Sequence, residues 1–146
     1  MPSQIKVDEI KNVAGQYKIK TDTFQGQTTA GSIAVQGEGT ATTNLQQGLA
    51  KVWSCVEQGT TAFDDSFNCS GITDVATGRF TPAFSNNMNN ALYSLTGCCD
   101  ANGAVALYGG ANKATSSVQL QTGDALGASG LADYDDAMST IHGDLA

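Results

Sequence analysis

Residues 65–84 read Asp65-Ser-Phe-Asn-Cys-Ser-Gly-Ile-Thr-Asp-Val-Ala-Thr-Gly-Arg-Phe-Thr-Pro-Ala-Phe84, two apolar-bearing runs on either side of Thr77-Gly78. Phe67 and Cys69 before the turn, and Phe80, Pro82 and Phe84 after it, recur at every second position, which is the pattern of an antiparallel hairpin. Pro82 has no amide to donate to a ladder, so the second run is expected at a sheet edge or bent at that residue.

Working outward, Lys51, Trp53 and Cys55 alternate with Val52, Ser54 and Val56. This predicts a strand from Ala50 onward that is buried on both faces, with Trp53 as its central packing residue. Leu45, Leu49 and Val52 have helical spacing for one turn. Ala62 to Thr73 reads as one alternating run carrying Phe63, Phe67 and Cys69. Downstream, Asn86, Asn87, Asn89 and Asn90 mark a corner, and Leu92 and Tyr93 enter a strand reaching Cys99. Ala104–Tyr108 and Ser117–Thr122 are further candidate strands, separated by turn residues Gly109 to Asn112, and Ala137–His142 is the closing strand.

Upstream, Ile5 and Val7 alternate with Lys6 and Asp8, and Tyr17 and Ile19 with Lys18 and Lys20, while residues 25–43 hold only Ile33 and Val35 as sizeable apolar anchors. Seven to nine short strands at this spacing predict an all-β fold, an antiparallel β-sandwich or barrel-like module. The change at residue 50 divides it into an N-terminal attachment or oligomerisation arm, 1–50, and a β module, 51–146. The arm carries too little apolar bulk to fold alone, so other subunits are expected to order it.

A chain of 146 residues is one domain's length, and a 14% charged content with 17 glycines suits short strands and turns better than amphipathic helices. The net charge of −7 argues against a phosphate-backbone partner, so no nucleic acid is expected. No window approaches the ~20 apolar residues of a membrane span. The opening Met1-Pro-Ser-Gln-Ile-Lys6 has no apolar run of a leader, which predicts synthesis in a reducing cytoplasm and free thiols at Cys55, Cys69, Cys98 and Cys99.

No residue pattern points to chemistry. His142 has no cysteine at ligand spacing, so no metal site is expected. Cys98 and Cys99 are neighbours on a predicted strand and should face opposite sides; Cys69 reads as a small buried hydrophobe. Asp64-Asp65 and Asp133-Tyr-Asp-Asp136 lack the spacing of a calcium loop and read as solvated acids. Asn68-Cys-Ser70 matches a glycosylation acceptor without a secretory route. Trp53, Phe63, Phe67, Phe80, Phe84 and Tyr93 lie at core periodicity, whereas Tyr108 and Tyr134 are the better candidates for exposure. No catalytic, cofactor-binding or metal residue is assigned, no cofactor is expected, and the chain reads as no enzyme.

Lys51-x-Trp53, then Asp65-Ser-Phe-Asn-x-Ser-x-Ile-Thr-Asp74, then Thr77-Gly-x-Phe-Thr-x-x-Phe84, then Met88-x-Asn-Ala-x-Tyr93 resembles a module of bacteriophage tail-fibre proteins, particularly those of marine phages. Ile5 to Gly15 and the terminal Gly143-Asp-Leu-Ala146 resemble the opening and close of the same proteins. The resemblance implies a virion structural protein that assembles as a homotrimer. A short tail fibre or fibre-attachment protein, extending to adhesion on a host-surface glycan, is the first expectation. A capsid decoration, cement or head-spike protein is the alternative, and a glycan-binding module a further one.

Overall fold

The computed structural model describes residues 23, 33–36, 40–100, 103–107, 112–124 and 130–146. The described fold is all-β and antiparallel. In chain order the elements are β1 (Ala34–Gln36), β2 (Thr42–Asn44), one helical turn α1 (Leu45–Gly48), β3 (Val52–Glu57), β4 (Ala62–Phe67), β5 (Cys69–Ala76), β6 (Arg79–Phe84), β7 (Ser94–Cys99), β8 (Gly103–Leu107), β9 (Leu120–Asp124) and β10 (Ala137–His142). One four-stranded sheet has the order β4-β3-β10-β7 and a second β5-β6-β9-β8.

The two sheets share their edges. β4, an edge of the first sheet, passes into β5, an edge of the second, through the single residue Asn68. At the opposite side β7 and β8 stand in the same relation and lie alongside each other. The chain thus turns the corner from one sheet to the other at β4–β5, while β4, β5, β7 and β8 remain the edge strands of two sheets between which no ladder runs among the described residues. The sequence predicted one run from Ala62 to Thr73; it is instead two strands in different sheets.

Asn68 makes this corner possible. Its φ of 60° lies in the left-handed region, which asparagine tolerates better than most residues. Its side-chain Nδ2 donates to the Lys51 carbonyl (3.0 Å) and the Asn86 carbonyl (3.1 Å), while Oδ1 accepts from the Asn86 backbone N–H (2.7 Å). One amide thus ties the entry of β3, the corner and the Asn-rich loop together.

The hairpin read from the sequence is present: β5 and β6 pair through Thr73↔Thr81 and Asp74↔Phe80 about the Thr77-Gly78 turn. Gly78 has φ 65°, and a Cβ there would lie 2.6 Å from the Thr122 carbonyl oxygen, so both conformation and space demand glycine. Pro82 is neither at an edge nor outside the sheet, because β6 is central. Its ladder with β9 runs through Arg79↔Gln121 and Phe80↔Leu120, lapses at Pro82, and resumes in the same register at Ala83↔Ser117. The missing donor is absorbed by a gap in the ladder.

The core lies between the sheets. It takes Val52 and Val56 from β3, Phe80 and Phe84 from β6, Cys99 from β7, Leu120 from β9 and Ala137 and Ile141 from β10, closed by Met88, Tyr93 and Val118. Phe84 and Tyr93 meet edge to face at 6.1 Å. The polar members are matched: Ser54 and Ser139 hydroxyls lie 2.9 Å apart, and the Thr122 hydroxyl sits between Gln58 Oε1 (2.9 Å) and the Ala132 carbonyl (2.7 Å). β10 is not peripheral. It runs between β3 and β7 as a central strand.

Ahead of this module, β1 and β2 form a two-stranded ladder, and Asn44 caps α1 by accepting from Gln47 N–H at 3.1 Å. Val35 and Leu49 are exposed and α1 buries no residue, so this part of the predicted arm has no core of its own among the described residues. The predicted strands at 5–7 and 17–24 and the loop after residue 124 fall wholly or largely outside the described residues.

Candidate functional site

β3 is buried on one face only. Val52, Ser54 and Val56 point inward, whereas Trp53, expected at the centre of the core, faces outward and is 37% exposed. The sequence could not choose between the faces because both carry apolar residues. The inward set wins since it joins the core that Phe80 and Leu120 of the second sheet close from the other side. Trp53 instead pairs across strands with Phe67, itself 52% exposed, and on the other side with Thr140. Of the six aromatics expected in the core, Phe80, Phe84 and Tyr93 are buried and Phe63 packs against them; Trp53 and Phe67 do not join them. Tyr134, expected exposed, is partly buried against the core, and Tyr108 lies outside the described residues.

The outer face of the β4-β3-β10-β7 sheet is consequently apolar at its centre. Its neighbouring row runs Asp65, Cys55, Met138 and Cys98 in register across all four strands, with Met138 39% exposed. Beyond Phe67 the surface dips into a groove of about 190 Å³ lined by Gln46, Leu49, Ala50, Lys51, Phe67 and Leu145. Lys51 does not present its charge there. Its ammonium is folded back to donate to the carbonyls of Gln46 and Leu49.

Carboxylates sit at the side of this face. The β3–β4 register slips by one residue between Cys55 and Val56, so that Asp64 is the extra residue of a bulge. Together with Asp136, just ahead of β10, this brings one donor atom each of Cys55, Asp64 and Asp136 within 4.8 Å of one another. The Cys55 thiol donates to Asp136 Oδ1 at 3.4 Å. Burial, that hydrogen bond and the charges of Asp136, Asp64 and Asp65 all raise its pKa above 9.0, so the thiol is protonated at neutral pH and a poor nucleophile. One thiol and two exposed carboxylates offer a cation three donors, short of the four of a closed zinc site. The sequence treated these acids as separate and solvated; a bulge leaves no sequence signal that would have joined them.

The other singled-out residues have structural settings. Cys98 is exposed and Cys99 buried, on opposite faces as expected. Cys69 packs against the core, and burial lifts its pKa to about 11, as it lifts Cys99 to about 12. Tyr93, pushed up to about 12 by burial, lies under the Lys113 ammonium at 4.3 Å. His142 closes β10 opposite Ser94. Asp133 Oδ1 accepts from the Gly78 N–H at 2.6 Å and pins the hairpin turn. The Asn68 amide, the acceptor of the glycosylation match, is fully engaged at the corner.

No helix among the described residues is long and apolar enough to cross a membrane. Neither a family model, nor a curated protein, nor a solved structure matches the chain.

Proposed function

We propose that the chain is a bacteriophage virion structural protein, a short tail fibre or fibre-attachment protein made in the host cytoplasm and assembled as a homotrimer. The observation that carries the reading is the ordered set of motifs Asp65 to Asp74, Thr77 to Phe84 and Met88 to Tyr93, which resembles the repeated module of phage fibres. The fold supports it physically. A strand-rich antiparallel module suits a load-bearing part, and the apolar outer face of the β4-β3-β10-β7 sheet suits contact within an assembly.

Catalysis has no part in this reading. Adhesion to a host-surface glycan is the extension of it. The capsid decoration or head-spike alternative rests on the same motifs, and stoichiometry separates the two. Quantitative mass spectrometry of purified particles should find the protein at tens of copies; hundreds would favour a lattice decoration, and its absence from particles would end both readings.

A further inference from the structure

The outer face of the β4-β3-β10-β7 sheet combines an uncovered apolar centre with a one-signed border. Trp53, Phe67 and Met138 are exposed in adjoining register positions, and the surface continues into the groove of Leu49, Ala50 and Leu145. The outward positions are Trp53, Cys55 and Glu57 on β3, Ala62, Asp65 and Phe67 on β4, Met138, Thr140 and His142 on β10, and Ser94, Thr96 and Cys98 on β7. None is lysine or arginine, while Asp64 and Asp136 add further negative charge at the side. Lys51, in the groove wall, spends its ammonium on two carbonyls.

The same chain contains a segment of the opposite character. Residues 1–20 carry four of its seven basic residues, Lys6, Lys11, Lys18 and Lys20, against Asp8 and Glu9. Residues 51–146 carry three basic residues against ten acidic ones. The lysines are interleaved with Ile5, Val7, Ile10, Val13, Tyr17 and Ile19, enough apolar side chains to cover a face of this kind. Apolar burial and opposite charge both favour their association.

We propose that this sheet face receives the N-terminal segment, residues 5–19, of a second copy of the chain, an inference that rests on the homotrimer reading above. Between segment and module, β1, β2 and α1 bury no residue. Handing the segment to a neighbour closes a symmetric ring at little cost.

The test uses full-length chains. Chains carrying Val7→Cys, Cys55→Ser and Cys98→Ser are co-expressed with unmodified chains, oxidised with copper phenanthroline, and mapped by mass spectrometry, while sedimentation gives the mass of each assembly. In the mixture a disulfide from position 7 to Cys55 or Cys98, the two outward thiols of the face, can form only between copies. That link, in a trimer, is expected. Phe67→Asp, at an outward position that leaves the core intact, should abolish it. A trimer without the link overturns this inference and leaves the assembly reading standing. In a separate sample of chains carrying Val7→Cys alone, with Cys55 and Cys98 kept, a link within one chain at monomer mass, with none in the mixture, overturns the second-copy assignment. Monomers with no link overturn both.

Discussion

Replacing Asn68 separates the two things the corner requires of it. Asn68→Ala keeps a side chain at φ 60°, where a Cβ without a polar group costs about 1 kcal/mol. It also removes the partner of the half-buried Lys51 carbonyl, about 1 kcal/mol or slightly more, and of the exposed Asn86 N–H and C=O at about 0.5 kcal/mol each. The total is about 3 kcal/mol. Asn68→Gly loses the same hydrogen bonds without the left-handed penalty and should cost about 2 kcal/mol. With a urea slope of about 2 kcal/mol/M, the alanine variant's midpoint falls by about 1.5 M and the glycine variant's by about 1 M. Urea titrations followed by circular dichroism measure both. An alanine variant within about 0.3 M of wild type, or a glycine variant no more stable than alanine, would refute the assignment of the corner to this residue.

Three further outcomes follow from burial. Ile141→Ala, at a fully buried position between two paired strands, should cost about 2–5 kcal/mol, while Trp53→Ala on the outer face costs the module less than about 1 kcal/mol in the same titrations. Gly78→Ala should cost at least about 2 kcal/mol by denaturation midpoint, because its φ is positive and its methyl meets the Thr122 carbonyl. Cys69 at about 11, Cys99 at about 12 and Tyr93 at about 12 have folded pKa values above the ordinary 9.0 and 10.0. Above pH 9 the unfolded chain therefore holds fewer protons than the folded one, and stability should be level below pH 9 and fall between pH 9 and 12. Midpoints at pH 8, 9.5 and 10.5 check this, and a rise across that window would contradict it.

The legible parts of the fold were those with local chemistry. Thr77-Gly78 between alternating runs gave the β5–β6 hairpin because a left-handed turn position and a period of two are both written in the residues themselves. The Leu45, Leu49 and Val52 spacing gave the single turn of α1 in the same way. What stayed hidden depended on partners distant in sequence. Trp53 and Val52 are equally apolar, and only the opposing sheet decides which faces in. Pro82 signalled a fault in a ladder, but whether at an edge or within a central strand is set by β9. Met88 is 1% exposed amid four asparagines because it joins the core cluster, held there by a backbone bridge to Leu145 more than fifty residues away. The Cys55, Asp64 and Asp136 grouping was unreadable for the same reason, since it needs the bulge and the β3–β10 pairing together.

The central claim is that this β module is a working part of a phage particle, and its position there tests it most directly. Purified particles decorated with gold-labelled antibody against residues 51–146 and imaged by electron microscopy should show label confined to the tail. Particles that contain no label, while the protein accumulates in the infected host, would contradict the account.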